Sequence, residues 1–521
     1  MSGIISDAIN NKTTIIDQAK EEIKNTYLSD DRPWVIGYSG GKDSTVVVQL
    51  VFEALSEMPV DQLTKKVHVI SSDTLVETPL IIQSINTTLR RIEEKAVELD
   101  LPVETHKVKP MLEQSFWVNI IGKGYPSPNQ QFRWCTDRLK IDPANQFIKD
   151  KVNSFGEVIM VLGVRETESA TRANVIKSHS VEGKVLMRHS TLSNAYVYAP
   201  IRKFDLDEVW NYLLTFESPW GDDNYELHRL YKESGSGECP LVVDKTVKES
   251  AGSCGNSRFG CWVCTVVNED KALSGFIDNG HDWMKPLLDF RNWLASIRDD
   301  RTRRMKYRMD GQVYFRPMQI KEVEGVEYVI IPKKGSRRKD LIPLEKYEII
   351  EKHELKSYLD KNNIDLSSSD DPMVLILDDK GNHCQLGLGP FTLEARKEIL
   401  EYLLQIQRDL VHPFDEEYDL IKDEELKEIR KIWFNHGDFE DSLPDIYKTT
   451  FGEELNWEKD ERLIFDQDEL HQLEMMCQEE GIDFKLVKKL LLIEKDYTGY
   501  KVRRGLMDQL GSALQQDYLH L

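Results

Sequence analysis

Residues 34 to 52 constrain the fold of this chain more than any other stretch. Trp34-Val35-Ile36-Gly37-Tyr38 is apolar and reads as a buried strand. Ser39-Gly40-Gly41-Lys42-Asp43-Ser44 reads as a tight turn, and Thr45 to Phe52 as an apolar helix in spite of its valines. Strand, glycine turn and helix in that order aim backbone N–H groups at an anion. Gly40 and Gly41 let the backbone approach phosphate oxygens with no Cβ in the way. Lys42 adds a point charge, and Ser39 and Ser44 add hydroxyls. This is not a Walker loop, which carries Ser or Thr directly after its Lys and a longer lead-in. The plain alternative is a glycine turn capped by Ser39 or Asp43.

A leading amphipathic helix runs from Ile4 to Leu28, stopped by Asp31-Arg32-Pro33. After the turn, strand and helix patterns alternate. Val67–Ile70, Val103–Val108 and Val158–Val164 read as strands, and Leu80–Leu99 as a helix. Such alternation predicts an α/β fold with a parallel, doubly wound sheet covered on both faces. Ligands then collect at the carboxyl ends of the strands. Asp73 lies on that edge, where a carboxylate can hold a ribose hydroxyl, the adenine edge or Mg²⁺-bound water; the alternative is a cap for the helix near Pro79. Gly163 lets its strand end close to a ligand. Arg165 and Arg172 bring forked donors suited to phosphate or sulfate, with Glu168 placed to orient one of them. The alternative for Glu168 and Arg172 is a surface i, i+4 pair. Arg133, Arg138 and Lys140 surround Cys135, and a helix there would set Arg133, Asp137 and Lys140 near one face. Asp205 and Glu208 form a capping-box pattern at the start of a further helix.

The turn resembles the SGGxDS pyrophosphate loop of ATP pyrophosphatases, which cut ATP between its α- and β-phosphates. Further matching elements are Asp73-Thr74, Glu77-Thr78, Trp134-Cys135-Thr136 with Lys140 and Pro143, Gly163-Val164-Arg165, Glu168-Ser169, Arg172, Pro200-Ile201 and Trp210. Over about the first 230 residues this set resembles the phosphoadenosine phosphosulfate (PAPS) reductase family. The resemblance implies an adenine-nucleotide α hydrolase-like sheet. It implies ATP and Mg²⁺ on Ser39, Gly40, Gly41, Lys42, Asp43, Ser44, Asp73 and Gly163. It implies chemistry carried by Lys42, Asp43, Cys135, Arg165 and Arg172.

Seven cysteines are present, and four of them, Cys239, Cys254, Cys261 and Cys264, lie close together in sequence. Such clustering suggests a metal or redox site rather than structural disulfides. The two-residue gap between Cys261 and Cys264 lets both sulfurs face one metal. Four thiols fit a [4Fe–4S] cluster. Their uneven spacing is unlike two matched zinc knuckles, so Zn²⁺ is the weaker reading. A third reading keeps three thiols on the metal and frees one to carry a persulfide. Cys135 complicates the count, because some sulfonucleotide reductases ligate their cluster through cysteines at that motif. The reading taken here makes Cys239, Cys254, Cys261 and Cys264 the ligands and Cys135 the sulfur-handling thiol. Cys384 and Cys477 read as buried, inert thiols.

Gly252–Val267, Ser71–Pro79 and Gly389–Arg396 resemble one branch of that family, the DNA phosphorothioation sulfurtransferases (DndC). This implies a [4Fe–4S] enzyme with ATP pyrophosphatase activity acting on DNA. It also implies a cysteine desulfurase and other DNA phosphorothioation proteins as partners. Leu75 stands where the reductases usually carry Gly, and the chain ends without their short catalytic Cys tail. The alternatives are a sulfonucleotide reductase, more distantly a tRNA thiolase, or a non-enzymatic cluster-bearing nucleotide sensor.

With 521 residues the chain has room for two to four domains. The expected division is a nucleotide domain over 1–230, a cysteine-rich and basic region over 231–340, and a mostly helical acidic region over 341–521. Residues 215 to 265 read as loop, and Tyr328–Ile331 as a strand. The formal net charge of −22 argues against a chain that coats DNA by itself. Two basic clusters, within Arg291–Arg308 and Lys333–Lys339, are either solvated faces or a surface for nucleic acid or another anionic partner. No apolar run reaches membrane length and the first residues lack a signal-peptide pattern, so a cytoplasmic location without membrane contact is expected.

Overall fold

The computed structural model describes residues 2–168, 185–189, 192–233, 260–305, 315–332, 339–362, 374–413, 418–438, 440–457, 467–482, 484–497, 503 and 505–515. Two compact units share the chain. The first comprises residues 1–116 and 128–291, and the second residues 117–127 and 292–521.

The first unit holds a six-stranded sheet in the order β3-β2-β1-β4-β6-β5. Its strands are β1 (Trp34–Gly37), β2 (Val67–Ser72), β3 (Val103–Val108), β4 (Val158–Val161), β5 (Met187–Arg188) and β6 (Ala195–Tyr198). All pairings are parallel except that of β5 with β6. The chain builds outward from β1 through β2 to β3, then returns to the other side of β1 for β4. The strand order therefore reverses between β1 and β4. Crossovers leave that point toward opposite faces and open a crevice at the carboxyl ends, where open α/β sheets bind ligands. The fold class read from the alternation is the one observed.

Helix α1 (Ser2–Leu28) precedes the sheet, and α2 (Lys42–Ser56), α3 (Pro79–Glu98), α4 (Asp142–Phe155), α5 (Leu206–Thr215) and α6 (Asn224–Glu233) follow in turn. Three consecutive valines give α2 a poor intrinsic propensity. Burial overrides it, because Val46, Val47, Leu50, Val51 and Phe52 are all buried. Tyr27 ties α1 to the sheet, donating to the Lys65 carbonyl over 2.7 Å. The helix around Cys135 opens into a wide i→i+5 turn over Asp137–Ile141 before α4 begins. Asp205 caps α5 as its sequence pattern predicts: its side chain accepts from Glu208 N–H, and Glu208 accepts from Asp205 N–H. Helix α6 falls in a region read from sequence as loop. Its Asn224 accepts from the Gln49 amide on α2 over 2.9 Å.

The second unit contains a three-stranded antiparallel sheet, β10-β9-β8, and a four-stranded mixed sheet, β11-β12-β13-β7. The strands are β7 (Phe315–Pro317), β8 (Gln319–Val323), β9 (Val326–Pro332), β10 (Lys339–Pro343), β11 (Glu348–Glu351), β12 (Val374–Leu377) and β13 (His383–Leu386). Sequence reading located only β9 among them. Beyond residue 390 the described elements are helices, as expected. Helices Leu393–Asp409 and Asp423–Asn435 clasp the turn Val118–Gly122, with Arg396 and Trp433 donating to the Gly122 and Ile121 carbonyls. No helix among the described residues is long and apolar enough to cross a membrane.

Replacing Asp205 by Ala removes the side-chain acceptor of Glu208 N–H and leaves only the Asp205 N–H to Glu208 half of the α5 cap. The expected cost is about 1 kcal/mol of stability, read as a lowered midpoint in urea unfolding at unchanged slope.

Candidate functional site

The loop after β1 is built by its own hydroxyls. Gly40 adopts φ +71°, and a Cβ there would lie 2.7 Å from Ile85. Ser44 Oγ donates to the Gly41 carbonyl over 2.8 Å and accepts from Ser39 N–H over 3.2 Å. Thr45 N–H also donates to the Gly41 carbonyl, over 3.0 Å. The N-terminus of α2 thus starts at Lys42 with Gly41 extended as its cap. Its dipole and first amides face the crevice.

Asp43 holds two cations. Lys42 Nζ lies 2.9 Å from Asp43 Oδ2, and Arg165 Nε lies 2.6 Å from Oδ1. Both cations are buried, with Lys42 1% and Arg165 2% exposed. Arg165 Nη1 also donates to Thr167 Oγ1 over 3.3 Å. Lys42 and Asp43 come from the loop after β1, and Arg165 from the loop after β4. The ion triad therefore closes across the switch point. Gly163 makes the approach possible. A Cβ at Gly163 would lie 2.8 Å from the Asp43 carbonyl carbon and oxygen and 3.0 Å from Ser44 N, all of them backbone atoms. Arg165 faces Asp43. Arg172, its expected companion, lies outside the described residues.

Sequence reasoning missed Tyr231 on α6. Its hydroxyl accepts from Lys42 N–H over 3.1 Å, and Lys42 Nζ sits 5.5 Å from its ring centroid. Trp210 of α5 packs edge-on against the same ring. The amide engaged by Tyr231 is one that an anion on the loop would use. No local motif marks Tyr231, because its meaning depends on where α6 packs.

The loop after β2 carries the thiol chemistry. Asp73 is 9% exposed, and its Oδ1 accepts from Leu75 N–H over 3.0 Å, a local turn. Lys109 Nζ lies 3.9 Å from its other oxygen. Leu75 has φ +65°, which explains why glycine suits this position in other chains. The next residues are bonded to the cysteine turn. Trp262 N–H donates to the Val76 carbonyl over 3.1 Å, and Thr78 N–H to the Gly260 carbonyl over 3.0 Å. Thr74 Oγ1 lies 3.3 Å from Cys261 Sγ, Glu77 Oε1 lies 4.0 Å from it, and Lys140 Nζ lies 3.3 Å from Glu77 Oε1. Buried Arg291 pins the far side of the turn. It donates to the carbonyls of Cys264 over 2.8 Å and Asn268 over 3.0 Å, and also to that of Val267.

Three thiols converge here. Burial and then the neighbouring Cys264 push the Cys135 thiol up to about 12, against the opposing pull of Lys140. Burial and then Glu77 push Cys261 well above its ordinary value, with Cys264 adding to the effect. Cys135, Cys261 and Cys264 are each partly exposed, and a cation bound there would favour their ionised forms, since metal binding deprotonates its ligands. Cys135 is a near neighbour of Cys264 in the cysteine turn. Cys239 and Cys254 lie outside the described residues.

The first basic cluster proves largely internal. Arg303 pairs with Glu398 through two bonds of 2.9 Å, and buried Arg304 donates to the carbonyls of Gly389 and Arg298. Burial lowers Arg304 to about 10, which still leaves it charged at neutral pH. Lys333 through Arg338 lie outside the described residues.

Residues 33–267 match the family model of the phosphoadenosine phosphosulfate reductase domain. An uncharacterized protein of Methanocaldococcus jannaschii is 29% identical over 248 residues, covering 47% of this chain and 38% of that relative. The chain therefore spans about two fifths of the length of the curated relative it matches. Among solved structures, Candida glabrata FMN adenylyltransferase in complex with FMN and the ATP analog AMPCPP is 18% identical, with a TM-score of 0.25 over 40% of this chain and 58% of that one. The U34-tRNA thiolase NcsA from Methanococcus maripaludis with its [4Fe-4S] cluster is 15% identical, with a TM-score of 0.26 over 55% of this chain and 80% of that one. By sequence, the segment that holds the phosphate-type loop and the cysteine turn is similar to a PAPS reductase domain.

Proposed function

We propose that this chain is an ATP-dependent sulfurtransferase that adenylylates a DNA backbone phosphate and replaces one of its non-bridging oxygens with sulfur. One placement supports the reading. Adjacent parallel strands β1 and β2 end at the same sheet edge in the anion-type loop and in the loop to which the cysteine turn is bonded. A site that must both activate a phosphate and supply sulfur needs those two elements side by side.

ATP would lie with its β- and γ-phosphates on the Ser39–Ser44 loop, where Lys42 and the first amides of α2 stabilise the departing pyrophosphate. Asp43 orients Lys42 and Arg165 and is placed to take a Mg²⁺ ion through water. Asp73 faces the nucleoside side. A non-bridging oxygen of the DNA phosphate attacks the α-phosphorus, and pyrophosphate leaves. The terminal sulfur of a persulfide, assigned to Cys135, then attacks the DNA phosphorus, and AMP departs with the oxygen. A second thiol breaks the sulfur–sulfur bond, which leaves the phosphorothioate and a disulfide for an external dithiol to reduce. A [4Fe–4S] cluster on Cys239, Cys254, Cys261 and Cys264 would supply iron that binds and delivers sulfur. A cysteine desulfurase would charge the thiol, and other DNA phosphorothioation proteins would present the DNA to this acidic chain.

The family model favours a second reading, a sulfonucleotide reductase. The two separate in one anaerobic assay: ATP with DNA and a persulfide donor should release pyrophosphate, whereas PAPS with a dithiol reductant should release sulfite if the second reading holds.

Three variants test the loop. Lys42→Ala is expected to cut DNA-dependent pyrophosphate release by roughly 10²–10³-fold, as for loss of one preorganised charge stabiliser; full retention would overturn the ATP site. Gly163→Ala forces backbone apart at the switch point, costing about 1–3 kcal/mol of stability, with activity falling at least about tenfold. Tyr231→Phe frees the Lys42 amide from one neutral hydrogen bond worth about 0.5–1.5 kcal/mol, so ATP should bind about 2- to 12-fold tighter by calorimetry.

A further inference from the structure

We propose that His68, Glu104 and His106 form a zinc-type metal site, independent of the nucleotide and thiol chemistry. His68 is the second residue of β2, and Glu104 and His106 are the second and fourth of β3. The parallel register sets His68 opposite Glu104 and Ile70 opposite His106. Alternation along the strands then places all three side chains on one face of the sheet.

His68 Nδ1 lies 3.1 Å from His106 Nε2 and 3.5 Å from Glu104 Oε2, and His106 Nε2 lies 3.8 Å from Glu104 Oε2. A point about 2.1 Å from all three corners of that triangle lies about 0.6 Å off its plane, within the range of Zn²⁺ bonds to imidazole or carboxylate and with room for a fourth ligand on the open side. Tetrahedral zinc at such bond lengths sets its ligand atoms about 3.3–3.5 Å apart, whereas an octahedral ion sets neighbours only about 3.0 Å apart. The observed separations favour the tetrahedral case, with three protein ligands and one open position.

The surroundings fit the same assignment. Lys66 pairs with Glu104 Oε1, which leaves Oε2 turned to the imidazoles. His68 is buried, and its polar contacts run through Nδ1, toward His106 Nε2 and Glu104 Oε2. Phe147 of α4 packs on both rings, at 6.0 and 5.0 Å. His68 precedes Asp73 by five residues, about 16 Å of strand, so the site lies away from the carboxyl edge. Its role is to fasten the edge strand β3 to β2.

The cysteines also bind zinc, so the test is a difference. Wild-type protein, Glu104→Gln and His106→Gln are loaded with Zn²⁺ and dialysed to equilibrium, with circular dichroism confirming that each is folded. Wild type should retain one equivalent more than either variant, and equal retention would overturn the site. Zinc X-ray absorption needs no variant. A nitrogen and oxygen shell at about 2.0–2.1 Å beside the sulfur shell near about 2.3 Å supports the assignment, and sulfur alone overturns it.

Discussion

The Asp43 carboxylate is the centre on which the crevice depends. Its two oxygens hold Lys42 and Arg165, one cation from each side of the strand-order reversal. All three groups are largely withdrawn from water, so none can lose its partner cheaply. Removing one member of a buried ion set typically costs about 3–5 kcal/mol, because the remainder is left uncompensated. The same triad explains Gly163, whose missing side chain lets the two loops meet at backbone distance. Charge, chain reversal and glycine form one device: a preorganised positive end on α2, held in place before any ligand arrives.

The cysteine turn is fixed by a different logic. Arg291 supplies donors to three consecutive-region carbonyls, and the loop after β2 supplies two backbone bonds from the other side. The thiols therefore sit on a clamped backbone. Burial opposes ionisation of both Cys135 and Cys261, and Glu77 adds to it at Cys261, while Lys140 relieves both and hydrogen bonds from Thr136 and Thr74 relieve one each. An iron cluster would reverse that balance, since a bound cation converts the cost of neighbouring thiolates into attraction. The wide turn at Asp137–Ile141 carries Lys140 to Glu77, which a regular helix through Arg133 would not do in the same register.

Much of this was legible in the residues. The glycine turn, the alternation of strands and helices and the Asp205–Glu208 cap are local patterns, and local patterns survive folding. The strands of the second unit were not, because short half-exposed segments such as Gln319–Val323 lack strict alternation and gain their partners only from the tertiary fold. Helix α6 was hidden in a polar segment beside the cysteine-rich stretch, and Tyr231 acquires its role only through packing. The His68, Glu104 and His106 group depends on a cross-strand register that no single strand encodes. Leu75 is the converse case. The sequence showed a departure from glycine, and the structure shows the positive φ that makes glycine the easier residue there.

The fate of the arginines bears on how an acidic chain meets an anionic substrate. Arg303 is committed to Glu398 and Asp300, and Arg304 to carbonyl oxygens of its own unit. Arg301 likewise donates to the Leu386 carbonyl. Breaking the bonds of buried Arg304 to reach a phosphate would leave its carbonyl acceptors unmet, at about 1–3 kcal/mol each. A basic run in the sequence is therefore not by itself a nucleic-acid surface, since these guanidinium groups stabilise the fold instead. With a net charge of −22, and with Arg301, Arg303 and Arg304 engaged within their own unit, these three arginines do not supply a long-range attraction for DNA. If DNA is the acceptor, its affinity must come from short-range contacts at the crevice and from a partner that neutralises the backbone. Activity on DNA should then be gated by assembly rather than by diffusion of the isolated chain along the duplex.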